Sequence, residues 1–350
     1  MNTEAPGWLD ATGPEADLVV STRIRLARNL AGHRFWGRNG SEEREEILRK
    51  VQSAVVAIPQ LAEGRWHRMD RLAPGSRRWF HEHQLVSREH AALDQVDHPR
   101  TAAALLVAGP QAIMVNEEDH LRIQAMVSGF DLGRSRTVAA AANQELGDRI
   151  SFAFDPDFGY LTGCPTNVGT GLRASVLIHL PALVATGEIG KVLQGIAQMG
   201  LTHRGLWGEG SRAEGHLFQL SNQTTLGKSE PELIDHLECV VREVIGHERR
   251  ARTVLRGVPT IEDRVGRAWG VLRHARMLQV DEMVDLLGSV RLGVGLNVLP
   301  AVPMHNLNRL LVLGQDAHLA RAGEQGGEDE DLPVRRARIV QRLLDERELA

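Results

Sequence analysis

Lysine is almost missing from this chain of 350 residues: of 41 basic residues only Lys50, Lys191 and Lys228 are lysine, and the rest are arginine. Codon bias alone produces such a skew, so a lone arginine carries no argument and only one inside a patterned segment does. Cysteine is equally scarce. Two residues, Cys164 and Cys239, cannot build a disulfide framework and fit a reducing compartment. Met1 to Asp17 lacks the charged start and apolar run of a signal peptide, and no stretch approaches the roughly 18 apolar residues of a membrane span. A soluble, cytoplasmic protein is expected. The formal net charge of −4 excludes wholesale attraction to nucleic acid or to an anionic membrane. What is present is apolar residue: at 42% hydrophobic the chain can bury a core, which excludes disorder, and its length suits about two domains.

The apolar spacing predicts short strands at 17–20, 104–108, 112–115, 121–127, 151–154, 174–180 and 217–220, with Gly109-Pro110 turning a hairpin. Helical spacing runs from Ser41 to Ile58, where Pro59 stops it, and from Ala139 to Leu146. Strands joined by turns, with helices placed irregularly between them, predict an α+β domain with a largely antiparallel sheet. A long helix is expected from Ser229, an N-cap with Pro231 in the first turn, to about Arg256. Gly257-Val258-Pro259 breaks it, and Thr260 to Ala350 is helical in pattern apart from an acidic, glycine-rich loop at 323–331. The predicted divisions are an N-terminal extension at 1–15, a catalytic domain at 16–256 and a helical domain at 257–350.

Several familiar sites are excluded. Gly227-Lys228-Ser229 ends like a P-loop, but Asn222 stands where the first glycine is required. Gly169-Thr170-Gly171 is too short for a dinucleotide fingerprint, and no H-R-D or D-F-G set appears. His81, His83 and His90 match no zinc spacing, so no metal ligands are assigned. A phosphatase loop at Cys164 fails because Thr170 occupies the position its arginine needs.

What remains is a set of arginines in patterned polar segments: Arg23 and Arg25 in Ser21-Thr22-Arg23-Ile24-Arg25, Arg122 after Asn116-Glu-Glu-Asp-His-Leu, Arg173 in Arg173-Ala174-Ser175-Val176-Leu177, and Arg204 in Arg204-Gly205-Leu206-Trp207-Gly208-Glu209. Arg23 and Arg25, two apart on an extended segment, point to one face. Guanidinium forks donate in pairs and stay charged, so several together can hold a triphosphate without a glycine-rich loop. Glu118 and Glu209 complement them as a carboxylate pair able to bind a cationic acceptor and take its proton. Cys164, in the polar loop Gly163-Cys164-Pro165-Thr166-Asn167, is placed for reactivity rather than for burial.

In their order these segments, with Ser221-Asn222, resemble the phosphagen (guanidino) kinases over about residues 16 to 250. Asp263-Arg264-Val265, Gly270-Val271-Leu272 and Val290-Arg291-Leu292-Gly293 are similar to the C-terminal part of the bacterial protein-arginine branch of that family. The resemblance implies a curved, largely antiparallel sheet flanked by helices, related to glutamine synthetase, followed by the helical domain. It implies ATP and Mg²⁺, the metal held mainly by nucleotide oxygens and water. Arg23, Arg25, Arg122, Arg173 and Arg204 would clamp the phosphates, with Ser21, Thr22, Ile24, Ala174, Ser175, Val176, Leu177, Gly205, Leu206, Trp207 and Gly208 among the nucleotide-site segments. Glu118 and Glu209 would grip the guanidinium, with Cys164 on its far side. Gln84 stands where the family places its adenine-side histidine, so His83, one position earlier, is expected to substitute.

Small-molecule members carry a helical lid domain ahead of the Ser-Thr-Arg-x-Arg segment. Only 20 residues precede Ser21, so the lid is expected to be absent and the acceptor to be arginine on a polypeptide. The alternatives are a free-arginine kinase and a non-catalytic phosphoarginine-binding adaptor. By the same resemblance the partners are arginine-bearing protein substrates, an activator protein, a Clp-type protease and a second copy of the chain, with no nucleic acid and no membrane. Protein-arginine kinases carry an R-D-x-x-R-A phosphoarginine pocket. Here Leu332-Pro333-Val334-Arg335-Arg336-Ala337 keeps Arg336 and Ala337 alone, so a degenerate pocket is expected.

Overall fold

In the computed structural model the described residues are 6–93, 100–207, 213–300, 302–326 and 330–346. Ten strands are formed: β1 (Val19–Arg28), β2 (Arg65–Arg68), β3 (Ala104–Ala108), β4 (Gln111–Val115), β5 (Leu121–Ser128), β6 (Phe154–Asp155), β7 (Gly159–Tyr160), β8 (Leu172–His179), β9 (Leu201–Arg204) and β10 (Leu217–Asn222). Eight of them make one antiparallel sheet in the order β2-β3-β4-β5-β1-β8-β10-β9, while β6 and β7 form a separate hairpin. The helices are α1 (Ser41–Val56), α2 (Pro59–Ala62), α3 (Pro74–Glu82), α4 (Arg88–Ala91), α5 (Leu132–Gly147), α6 (Pro181–Ala185), α7 (Ile189–Gln198) and α8 (Glu230–Leu255), then α9 (Pro259–His274), α10 (Val280–Gly295), α11 (Met304–Leu313), α12 (Asp316–Gly326) and α13 (Leu332–Asp345).

Strand alternation sorts the side chains onto two faces with different fates. Ile24 and Leu26 of β1, Ile123 and Ala125 of β5, Ala174 and Val176 of β8, and Leu220 of β10 face one way. They join residues of α1, α5 and α8 in the main core. On the opposite face, Leu105 and Met114 pack under α3 and α4 at one end. At the other end Val20, Met126, Leu177 and Leu217 pack with residues of α9–α11 and α13. Between these two apolar ends the central strands present Arg23, Arg25, Arg122, Gln124, Arg173 and Gln219 to a cleft. A one-residue register slip in β1 would send its arginines into the core, so the pattern fixes the register.

The hairpin of β3 and β4, the α1 stop before Pro59 and the long helix all form as the sequence predicts. Ser229 caps α8 with a reciprocal capping box to Glu232. Three expectations need correction. The 151–154 strand becomes an isolated bridge from Phe152 to Leu30 and the two-residue β6, after which Asp155 Oδ1 accepts the N–H groups of Asp157 and Phe158 and turns the chain. The helix expected at 139–146 begins at Leu132, where Asp131 caps it by accepting from the Arg134 N–H. The loop expected from 323 starts later, since α12 continues to Gly326. The edge strands β2 and β9, four residues each, carry too little alternation to be seen in sequence.

Candidate active site

The cleft has a volume of about 710 Å³. Arg23 and Arg25 project from β1, Arg122 from β5, Arg173 from β8 and Arg204 from the end of β9. The β1–β8 register sets Arg25 directly opposite Arg173. Burial lowers the Arg23 pKa to about 10, and Arg173, Arg122 and Arg204 push it the same way. Arg25 is also lowered, by burial first and then by Arg23, Arg173 and Arg122. Each guanidinium is thus less stable in its charged form than in water, and an anion in their midst relieves that repulsion. Arg23 also donates to Gln219 Oε1 (3.1 Å) and Arg173 to Ser221 Oγ (3.2 Å), contacts that hold two guanidinium groups in place.

Arg122 is anchored by carboxylates. Its Nη1 donates to Glu117 Oε1 and its Nη2 to Glu118 Oε2, both at 3.1 Å. Glu117 accepts further from Ser87 Oγ (2.7 Å) and the Glu118 N–H (2.8 Å). Burial works to raise the Glu117 pKa, but Arg122 and these donors overcome it and hold the group at about 2. The opposite sign holds next door. Glu118 is raised, by burial and by the neighbouring charges of Glu117 and Asp119, although Arg122 and a hydrogen bond from Cys164 oppose the shift. A carboxylate held upward and left partly open to solvent is suited to receiving a proton.

The turn that carries Glu118 is pinned from several sides. Asn116 takes a left-handed φ of 60°, and its N–H donates to the His120 carbonyl. Asp119 Oδ1 accepts from Asn29 Nδ2 (2.7 Å) and from the Gly163 N–H (2.6 Å). A Cβ on Gly163 would lie 2.7 Å from the Glu118 carbonyl oxygen, so only glycine lets the Cys164 loop approach this closely. The result sets Cys164 beside Glu118, with its Sγ 3.0 Å from Thr166 Oγ1.

Of the residues proposed from sequence, Arg23, Arg25, Arg122, Arg173, Arg204, Glu118, Cys164, Leu206 and Trp207 line this one cleft. Ser21, Thr22, Ile24, Ala174, Ser175, Val176, Leu177 and Gly205 are buried beside it and do not line it. Thr22 donates to the Gly129 carbonyl (2.6 Å), and Ala174 and Val176 belong to the main core. Gly208 and Glu209 lie outside the described residues. Arg336 and Ala337 are buried in α13, away from the cleft.

His83 is a correction. It turns away from the cleft, packs at a tilt against Trp79 with ring centroids 3.9 Å apart, and meets His318 of α12. Gln84 lines the cleft in its place, at a left-handed φ of 57°. Its carbonyl accepts from Gln124 Nε2 (2.9 Å). Sequence reasoning did not single out Glu117, Ser87, Gln124, Gln219 or Trp36, all of which line the cleft. Glu117 and Asp119 stood inside an acidic run already noted; the glutamines carry no signal in sequence. Among the described residues no three His, Cys, Asp or Glu side chains converge on a metal position.

Two family models divide the chain. The ATP:guanido phosphotransferase C-terminal catalytic domain matches residues 46–251, and the protein-arginine kinase McsB C-terminal domain matches residues 259–349. The protein-arginine kinase of Symbiobacterium thermophilum is 44% identical over 346 residues, covering 96% of each chain. That of Geobacillus stearothermophilus is 40% identical over 350 residues, covering 98% of this chain and 95% of its own. Among solved structures, the duplicated taurocyamine kinase of Schistosoma mansoni with bound transition-state-analogue components aligns with a TM-score of 0.60. It is 27% identical over 71% of this chain and 37% of that one. Lombricine kinase aligns at 0.57, with 26% identity over 70% of this chain and 71% of its own.

Proposed function

From the premise that the chain belongs to the ATP:guanido phosphotransferase family, in its protein-arginine kinase branch, we propose that it transfers the γ-phosphate of ATP to arginine side chains of proteins. The observation that carries this reading is the cleft of about 710 Å³ that five arginines line together with Glu118 and Cys164. The arginines bind the triphosphate in bidentate fashion and neutralise charge as it spreads over the transferred group. A guanidinium acceptor keeps its proton until pH ~12 and is a poor nucleophile unaided. Glu118 orients it in line with the γ-phosphorus and takes its proton, a role its raised pKa favours. Glu209, by its motif, is the second carboxylate of that grip, and Cys164 contacts the acceptor from the far side.

Divalent metal fits this donor set only as a passenger of the nucleotide. Glu117 is committed to Arg122 and among the described residues no three His, Cys, Asp or Glu side chains converge, so nucleotide oxygens and water would hold the Mg²⁺, which when bound with ATP would supply charge neutralisation. Further parts of the reading are a cytoplasmic location, a homodimer formed through the helical region, an activator protein, and a Clp-type protease that receives the marked proteins. A functional boundary near residue 257 is supported by the change of family model between residues 251 and 259. The test is incubation with Mg-ATP and casein, followed by mass spectrometry under non-acidic conditions, since phosphoramidates are acid-labile. Phosphoarginine on casein, with far less transfer to free arginine, is the expected result. Phosphoserine or phosphotyrosine as the only product overturns the assignment, and preferential transfer to free arginine favours the small-molecule alternative.

A further inference from the structure

A buried polar cluster joins the C-terminal helices to the wall of the cleft. Glu82, the last residue of α3, accepts from the N–H groups of Ala317 (3.1 Å) and His318 (3.2 Å) in the first turn of α12. His318 Nδ1 lies 2.8 Å from the same carboxylate, and His318 Nε2 lies 2.8 Å from His83 Nδ1. Trp79 stacks on the His318 imidazole and meets the His83 ring at a tilt of 47°, and the Arg321 guanidinium sits 4.7 Å above the Trp79 ring. Burial lowers both histidines to about 3, so they are neutral and one tautomer set satisfies the chain. His318 donates from Nδ1 to Glu82, and the His83 Nδ1–H is shared between His318 Nε2 and the Trp79 carbonyl (3.1 Å).

The next residue along the chain, Gln84, lines the cleft. Gln84 holds its left-handed conformation with its carbonyl on Gln124, and Ser87 donates to Glu117, which in turn grips Arg122. A non-glycine residue at positive φ is an unfavourable conformation that persists only when its surroundings hold it. On one side the surroundings are Gln124 and Ser87's partner Glu117; on the other they are the α3–α12 contact.

We propose that the Glu82–His318–His83 contact is a latch by which α12 holds the Gln84–Ser87 segment in its binding geometry, making His318 a positioning residue for nucleotide. It rests on the proposed kinase reading and adds to it a physical link between the C-terminal helices and Arg122. The link runs by hydrogen bond from His318 to Glu82 and His83, along the 83–87 backbone, and by hydrogen bond from Ser87 through Glu117 to Arg122.

Three variants test it in the full-length protein. H318A removes both polar contacts, H318F removes them while keeping the ring on Trp79, and H318N restores a donor toward Glu82. Expected are an increase of about tenfold in the KM for ATP with H318A and H318F, little change in kcat, and near-normal KM with H318N. Hydrogen exchange of the 83–88 segment should rise in the first two and not in the third. If H318A does not fold, the comparison of H318F with H318N decides alone. Wild-type KM and exchange in H318F, or equal impairment of H318N and H318F, overturns the latch. The Kd for ATP, expected to rise by the same factor as KM, and hydrogen exchange are read without any acceptor. A wild type that binds ATP but leaves casein arginine unmodified therefore refutes the kinase reading and not the latch.

Discussion

Glu117 and Glu118 are adjacent carboxylates pushed to opposite sides of their ordinary value. Glu117, on three donors, serves to fix Arg122; Glu118 faces the open cleft. Substituting Glu118→Gln should therefore lower turnover by about 10²–10⁴-fold while ATP affinity stays near normal, measured by steady-state kinetics and nucleotide titration. Arg173→Ala should do the reverse and weaken ATP binding. Glu117 gives a different signature. Its folded pKa of about 2 lies below the ordinary 4.5, so its stabilisation is fully present above about 4.5 and is lost as pH falls toward 2. Melting curves between pH 3 and 7 should show that Glu117→Gln is destabilised most at neutral pH and converges on wild type in acid. Cys164, half-buried beside Glu118, predicts that Cys164→Ser keeps reduced activity and that thiol oxidants inhibit the native enzyme. Full activity after oxidation would place the thiol outside the reaction.

At the scale of elements, two devices decide where the site residues stand. Strand alternation carries every clamp arginine of β1, β5 and β8 to the same face, and glycine at 163 lets one loop close on another. Helix α8 lies behind the sheet, where Leu237, Val241 and Ile245 anchor it in the main core, and none of its residues lines the cleft. Its capping box is thus a stability device only. Ser229→Ala should lower unfolding free energy by about 1 kcal/mol with unchanged kinetics, as denaturant titration can check. A large loss of activity at unchanged stability would show that α8 reaches the site.

At the scale of the whole molecule, α9–α13 are built into the sheet's second face and are not appended to it. Arg336 shows how. Its Nε donates to the Gly314 carbonyl (2.7 Å), its Nη1 to the Leu278 carbonyl (2.8 Å) and its Nη2 to Asp316. With Pro333 in the first turn of α13, this guanidinium ties the last helix to the start of α12 and to the 275–279 connection. A side chain so engaged is a poor receptor for a free phosphoarginine. Titration calorimetry with phosphoarginine should give no Arg336-dependent heat and kinase assays no stimulation. Arg336→Ala should instead lose stability on the order of 2 kcal/mol, from buried carbonyls left without donors. Micromolar binding that depends on Arg336 would refute this.

Sequence by itself determined the chemistry and most of the elements. Charged side chains at a two-residue period, proline and glycine stops, and a Ser-x-x-Glu cap are local signals that act within a few residues. Pattern, together with the resemblance to the guanidino kinases, therefore carried Arg23, Arg25, Arg122, Arg173, Arg204, Glu118 and Cys164 to one proposal. Only the tertiary structure decided which neighbours those groups would have. Whether His83 or Gln84 faces the cleft depends on α12, 235 residues further on, which draws His83 into a buried contact. Whether Glu117 or Glu118 stays open depends on Arg122 and Ser87 arriving from two other elements. Register and burial are properties of packing between distant segments, and no local period records them.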